Sequence, residues 1–582
     1  MSVNFDRWIC DTEPSSRFTL YTRANVGEVF PDPVFPFTRS VALFDGAELG
    51  WRDAWERMGA FDHHEFRPNE MDVLGVSGGY CYLNASIIRL FGERAPGLSA
   101  QDMDDQFFGA QPGIPPYVEQ PGDINVEASD RIGAWMGMVL SATDRPELLD
   151  DQRVTRQLRV MRPDVSALSD QELLDASVSL YDTHFRHLFG QHLHATYAAS
   201  VPVGILAAVT AAIGRPELIT ALISGVGDVD SAAPSIQMWT LSRLAKRSPA
   251  VSALFAAGTS NLDHRLRASD IPEVQAFVTE LDAFVLEFGS RGPNEWETAR
   301  PTWETKPSLM LAAIDRMRAA DDTADPSPHQ EILATRRMTT ADEVRSILVA
   351  AGVNEATTMQ FEAAFAAAAV WLPARERTKT NVIRFTQEAR VLMRELGRRM
   401  VERGLFTDIE DFAFLFKDEY PGFLADGSVY RARIAERKAQ WQELAVLEPQ
   451  FVFDTAPDFP AAWVRRDSVS FDILQPGDVL QGIPGCVGVA EGRARVILDS
   501  NDPSALMPGD VLVAPSTDPS WTPLFVPAGA VVVDVGAPLS HAVIVSRELG
   551  IPCVISATGA TKRIPDGAMI RVDGTSGTVT LL

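Results

Sequence analysis

At 582 residues the chain is too long for one hydrophobic core, so two or three domains are expected, and 46% hydrophobic residues with a mean hydropathy near zero is ordinary for a soluble globular protein. Its net charge of −26 leaves no cationic surplus to displace counterions from nucleic acid, and none for a polybasic membrane contact. The four cysteines (Cys10, Cys81, Cys486 and Cys553) form no CxxC pair, and no basic-then-apolar leader opens the chain, so a reduced, cytoplasmic protein is expected.

Residues 1 to about 130 are rich in Gly, Pro and aromatics, with turn signals such as Phe30-Pro31-Asp32-Pro33 and Gly113-Ile114-Pro115-Pro116. They read as irregular structure with short elements rather than long helices. From about Asp130 to Leu444 the texture is helical: residues 170–189, 271–288, 342–351 and 381–403 place apolar side chains three and four apart. Leu392, Leu396 and Met400 form one such stripe, with Arg394, Arg398 and Arg399 turned away from it. The most apolar stretch, 201–227, is broken by Arg215, Pro216 and Glu217, so no membrane span is assigned. Residues 449–476 show little periodicity and read as a linker. Beyond them, β-branched runs at 494–498, 511–514, 531–535, 553–555 and 569–572 alternate with Gly and Pro turns. The expected organisation is a mainly α-helical region 1–448, the linker 449–476 and a C-terminal α/β domain 477–582.

The chemistry is concentrated in that last part. Val533-Asp534-Val535-Gly536-Ala537-Pro538-Leu539-Ser540-His541, continuing to Pro552, reads as a buried strand, a Gly turn, and a helix capped by Ser540 and closed by Gly550. His541 then sits in the first helical turn, where free backbone N–H groups and the helix dipole favour an anion. A neutral imidazole there is a nucleophile at physiological pH, and a phosphoryl group on one ring nitrogen has its charge offset by the helix end. Farther upstream, Arg375 and Lys379 are four apart and share a helical face. A guanidinium grips phosphoryl oxygens in bidentate fashion and a lysine adds a compact charge, although spacing alone also fits a solvated face joined by Arg377 and Arg384. His184, His187, His192 and His194 do not set three imidazoles on one helical face and have no carboxylate or Cys at ligand spacing, so no metal is assigned. One of them is a candidate general base, with capping or packing as the alternative; His63 and His64, beside Asp62 and Glu65, are equally open.

The segment around His541 resembles the mobile, swivelling histidine domain of the phosphoenolpyruvate-utilising enzyme family. Thr517-Asp518-Pro519-Ser520-Trp521-Thr522-Pro523-Leu524-Phe525 looks like that domain's characteristic loop, Gly574-Thr575-Ser576-Gly577-Thr578-Val579 like its closing turn and strand, and the stretch from Gly482 to Ala494 like its entry. One departure is Ala537, where the family usually has a second Gly. The resemblance implies that His541 carries the phosphoryl group, with Ser540, Gly536 and Thr517 supporting it. The region before it resembles the acceptor domain of the rifampicin phosphotransferase group: Tyr21-Thr22-Arg23-Ala24-Asn25-Val26-Gly27-Glu28-Val29-Phe30-Pro31-Asp32-Pro33 looks like its opening, and Phe288-Gly289-Ser290-Arg291-Gly292-Pro293-Asn294-Glu295, with Trp303 beyond, like its central loop, with Ser290 where the family usually has His. Arg375-Glu376-Arg377-Thr378-Lys379 resembles the helix that supplies basic groups to the phosphate. By that resemblance Arg375 and Lys379 are catalytic, and Arg291 and Glu295 bind substrate.

No Gly-rich nucleotide loop with a nearby Lys is read in the opening residues, and the histidine domain is expected to be the last one. The resemblance therefore implies the histidine-bearing subunit of a split phosphotransferase, similar to phenylphosphate synthase. An ATP-grasp partner subunit would bind ATP and Mg2+ and charge His541, and the swivelling domain would deliver the phosphoryl group to a hydroxyl of an apolar aromatic or polycyclic acceptor. A non-catalytic phosphocarrier and a truncated antibiotic phosphotransferase are the alternative readings.

Overall fold

The computed structural model describes residues 7–108, 113–227, 230, 233–322, 325–458, 460–468, 471–498, 506–518, 521–536 and 540–582. A small antiparallel sheet of β1 (Leu20–Thr22), β2 (Leu74–Ser77), β3 (Tyr80–Asn84) and β4 (Val452–Asp454), in the order β2-β3-β1-β4, lies at one end of a helical region. β4 falls inside the segment expected to be a linker: Tyr21 pairs with Phe453, and their rings stack 5.1 Å apart. An apolar Val-Phe pair beside an open edge gains a ladder of hydrogen bonds and a ring contact by joining the sheet, a gain that periodicity in so short a segment does not announce.

The helical region is organised around Glu355–Glu402, a single helix of 48 residues and roughly 72 Å at 1.5 Å per residue. Asn354 caps it by accepting the Thr357 N–H at 2.9 Å. Its early turns carry the buried residues Ala364, Ala367 and Ala368, and the helix Arg186–Ala212 presents Ala195, Ala198 and Ala199 to the same core; small side chains let the two backbones come close. Farther along, Leu392, Leu396 and Met400 are buried as their spacing predicts, while Arg398 pairs with Glu395 and Glu402 in solvent. The run Asp170–Ala212, which continues through a wide π-type turn at Tyr181–Phe185, is long and apolar enough by length and composition to cross a membrane. In this structure it packs Leu188, Leu206 and Val209 into the protein core.

Residues 36–58 depart from the sequence expectation, since they form one unbroken helical run through a π-type stretch at Arg39–Glu48. The glycines that suggest turns there serve helix crossing instead. A Cβ on Gly46 would lie 2.2 Å from the Phe185 ring, one on Gly50 2.8 Å from the Arg186 carbonyl, and one on Gly190 3.0 Å from the Gly50 carbonyl. Glu48, fully buried, is held by Arg52 at 2.5 Å and by the N–H groups of Asp72, Val73 and Leu74.

The C-terminal part is an eight-stranded sheet in the order β5-β12-β11-β7-β8-β9-β10-β6, built from β5 (Val479–Gln481), β6 (Ile483–Cys486), β7 (Val489–Val496), β8 (Val511–Ala514), β9 (Ala530–Val533), β10 (Cys553–Ile555), β11 (Met569–Asp573) and β12 (Thr578–Leu581). β7 to β10 run parallel and the flanking strands antiparallel. Both faces of the central strands are covered, which is why they read as continuous apolar runs. Leu512, Ala514, Val531 and Val533 face one core with Phe525, Val545 and Leu549, and Val511, Val513, Ala530 and Val532 face the other with Ala560 and Ile564. Leu474, also in the expected linker, packs into this second core and donates its N–H to the Arg563 carbonyl at 2.9 Å.

Candidate active site

β9 delivers the chain to the site. The helix His541–Leu549 starts there, with Ser540 extended (φ −70°, ψ 162°) and Gly550 in the left-handed conformation (φ 67°). The left-handed end is what Gly allows at little cost, and the following Pro552 cannot extend a helix. Ser540 marks the helix start by backbone alone: its hydroxyl is buried and makes no hydrogen bond, so the side-chain cap expected from its identity is not formed. Gly536 lies in close approach, since a Cβ would sit 3.1 Å from Ile555 and 3.2 Å from the Ser540 hydroxyl; its carbonyl accepts from Ser556 at 2.6 Å. Ala537, the departure from the family pattern, lies outside the described residues, as do Pro519 and Ser520 of the loop.

The half-buried His541 ring is bracketed by two hydroxyls. Thr517 Oγ1 is 3.1 Å from Nδ1 and Thr522 Oγ1 is 3.0 Å from Nε2, with Phe525 edge-on at 5.8 Å. One hydroxyl accepts the ring N–H and the other donates to the lone pair, which fixes the ring plane. Across from it stand residues of the helical region. Burial first, then the charges of Lys379, Arg291 and Arg375, hold the His541 pKa well below its ordinary value, against an opposing pull from Glu376. The imidazole is therefore neutral across the physiological range, and the cations that disfavour imidazolium would attract a phosphoryl group on the same ring.

Those cations are themselves tied in place. Arg291 donates to Glu295 Oε1 at 3.0 Å and to Thr380 Oγ1 at 2.7 Å, and Lys379 Nζ stands 3.5 Å from the same Glu295 oxygen. Arg375 pairs with Glu376 at 2.5 Å. The Asn294 N–H donates to Asp518 Oδ2 at 3.2 Å, joining the loop that bears Arg291 and Glu295 to the loop that bears Thr517. Thus His541, Thr517, Arg375, Lys379 and Arg291 converge, Glu295 acts on the cations rather than on the ring, and Ser540 and Gly536 shape the backbone. Ser290, next to Arg291, is buried.

Three residues at this locus were not singled out by sequence. Thr522 lies in the quoted loop but carries no signal apart from it. Glu28 faces Lys379 and Arg375, with its carboxyl pushed up to about 7 chiefly by burial. Glu376 was legible only as part of a motif. Of the four clustered histidines, His192 alone faces these cations; its Nδ1 lies 3.3 Å from Thr378 Oγ1, its ring is 5.8 Å from Trp296, and burial with Arg375 and Lys379 lowers its pKa to about 3. His184 sits against Thr183, His187 against Asp151 and His194 against the Trp135 indole N–H. His63 pairs with Asp53. Among the described residues no three His, Cys, Asp or Glu side chains are grouped to hold a metal ion.

Two family models match. Residues 191–376 match the rifampicin phosphotransferase fourth domain, and residues 506–577 match the mobile domain of PEP-utilising enzymes. The first contains Arg291, Glu295 and Arg375, the second Thr517, Thr522 and His541. Among curated proteins the chain is 30% identical over 330 residues to a rifampicin phosphotransferase of Streptomyces sviceus, covering 56% of this chain and 37% of that one. It is 32% identical over 336 residues to an uncharacterised protein of Mycobacterium tuberculosis (58% and 34%) and 30% identical over 345 residues to the prodigiosin synthesizing transferase PigC of Serratia marcescens (57% and 37%). The chain spans about a third of the length of these relatives.

Proposed function

We propose that this chain is a phosphotransferase of the phosphoenolpyruvate-utilising kind working through phospho-His541, on the premise of its matches to the mobile domain of PEP-utilising enzymes and to the rifampicin phosphotransferase fourth domain. A phosphoryl group enters at a ring nitrogen of His541 and leaves for a hydroxyl of an apolar aromatic or polycyclic acceptor held by the helical region, in the cytoplasm. ATP and Mg2+ belong, in this reading, to an ATP-grasp partner subunit that charges His541. The observation that carries it is the His541 ring itself, neutral, bracketed by Thr517 and Thr522 and faced by Lys379, Arg375 and Arg291.

The chain's own residues do three things. Thr517 and Thr522 orient the ring so that one nitrogen presents its lone pair. Lys379, Arg375 and Arg291 stabilise the charge spread over the phosphoryl oxygens during transfer, which is where most catalysis of such reactions arises. Glu295 and Glu376 hold those cations at fixed positions, so that little reorganisation is needed. The aromatic neighbours Trp296 and Phe189, 6.0 Å apart beside His192, suit an apolar acceptor.

Intact-mass spectrometry under alkaline conditions tests the reading. With ATP, Mg2+ and the ATP-grasp protein encoded nearest its gene, the wild-type chain gains a phosphoryl adduct and AMP appears, whereas His541→Ala gains none. An adduct on His541→Ala would sink the assignment; absence of an adduct from the wild type, with ATP and then with phosphoenolpyruvate as donor, would do the same.

A further inference from the structure

Asn25 is a backbone outlier. At φ 64° and ψ −61° it is the middle residue of the rare positive-φ kind of γ-turn, closed by the Val26 N–H on the Ala24 carbonyl at 2.8 Å. Such strain in a non-Gly residue persists only where the surroundings over-determine it. They do so here. Arg23 donates to the Cys81 carbonyl of β3 at 2.7 Å and to the Phe30 carbonyl at 2.9 Å, tying the residue before the turn to the small sheet and to the chain that follows the turn. Asp32 pairs at 2.6 Å with Arg300, which follows the loop bearing Arg291 and Glu295. The short helix Val26–Val29 issues directly from the strained residue, and its Glu28 faces Lys379 and Arg375, two of the cations that face His541.

Glu28 differs from the other carboxylates at this locus. Glu295 is engaged by Arg291 and Lys379, and Glu376 by Arg375. The Glu28 side chain makes no hydrogen bond with any described residue. A half-buried carboxylate, carried on the short helix that a strained turn opens, coupled electrostatically to the phosphoryl-binding cations and hydrogen-bonded to no described residue, suits a proton acceptor more than a structural pair.

We propose that Glu28 is the general base that takes the proton of the acceptor hydroxyl as the phosphoryl group leaves His541, an inference that rests on the phosphotransfer reading above. The bond from phosphorus to the His541 ring nitrogen breaks and its electron pair returns to the ring. The other ring nitrogen keeps its proton against a threonine hydroxyl, so the imidazole departs neutral. The acceptor oxygen bonds phosphorus, its proton passes to Glu28, and Glu28 releases that proton to solvent with the product. Burial sets Glu28 at about 7, matched to neutral pH, whereas His192 beside the same cations is held near 3 and is too weak a base. The charged groups facing Glu28 are Lys379 and Arg375 of the long helix; the titratable groups sharing those cations are His541, His192, Glu295 and Glu376, and Arg23 on its own segment is spent on carbonyls.

The test separates loading from discharge. The full chain, Glu28→Gln and Glu28→Asp are phosphorylated with potassium phosphoramidate, loading is read by alkaline intact mass, and discharge to phenol and water is followed from about pH 6 to about pH 9. All three are expected to load alike. Wild-type discharge climbs with pH and levels off above about 7, Glu28→Gln loses the climb and is about 100-fold slower or more, and Glu28→Asp keeps a climb shifted to lower pH. Equal rates and profiles for wild type and Glu28→Gln, whether fast or slow, would overturn the assignment. Should Glu28→Gln not fold, an unshifted climb in Glu28→Asp overturns it and a shifted one sustains it. Failure of the wild type to load overturns the phosphohistidine reading itself, a distinct result.

Discussion

The region that carries His541 surrounds it with hydroxyls and an aromatic edge, whereas the region facing it supplies the charge. Thr517, Thr522 and Phe525 come from the sheet region; Lys379, Glu376, Arg291 and Arg375, the leading charges on the ring, come from the helical one. The division teaches that orientation of the ring is built into the region bearing the histidine and that the charges acting on it are built into the helical region. A phosphoryl group on His541 would meet its full set of countercharges only where the two regions touch, which favours transfer there over loss to water elsewhere.

Four substitutions would break or sharpen that contrast. The largest effect is expected for Arg291→Met, which takes one partner from the buried Glu295. Stability should fall by about 3 kcal/mol, the lower end for breaking a buried pair, since Lys379 remains 3.5 Å away. Chemical denaturation followed by tryptophan fluorescence reads this, and an unchanged midpoint would show that the charged side is not built as described. Next, Lys379→Met should slow phosphoryl delivery by about 10²–10³-fold, the usual cost of removing one preorganised donor, while leaving loading intact. It should also raise the His541 pKa, because a cation that disfavours imidazolium is gone; an NMR titration showing no rise would contradict the charge assignment. On the neutral side, Thr522→Val removes one hydrogen bond worth about 1 kcal/mol, so delivery should drop only several-fold and the ring should exchange tautomers, visible in its nitrogen-15 shifts. The smallest effect is expected away from both. The Asp151 hydrogen bond raises the pKa of exposed His187, so its contribution to stability is fully present below the unfolded imidazole value and fades as pH rises through the folded one. The melting-temperature difference between wild type and His187→Ala should be detectable at about pH 5.5 and vanish by about pH 9.

The two regions also differ in how much their sequences disclose. The start and end of the histidine helix and the strands at 511–514 and 553–555 emerge from local pattern, because β9, the turn, His541 and the Gly550 stop lie within about 20 contiguous residues, the scale on which caps and periodicity act. From local pattern the facing charges were legible only where Arg375 and Lys379 share a helical face, and Arg291 came from resemblance alone. Glu28 and His192 reach the same cations from far upstream in the chain, through a γ-turn and a helix crossing that leave no periodic mark. Gly46, Gly50 and Gly190 show the same limit, since one residue type marks either a turn or a close crossing and only the partner helix decides. Ser540 is the converse case, a residue with capping identity whose hydroxyl caps nothing.

One feature of the small sheet bears on how such a protein is assembled in evolution. β1, near the start of the helical region, and β4, near its end, are hydrogen-bonded neighbours, so the two stretches run about 5 Å apart there. A body whose ends meet behaves as a cassette: it can be spliced into a longer chain, or joined to a different carrier, without any of its internal helices being recut.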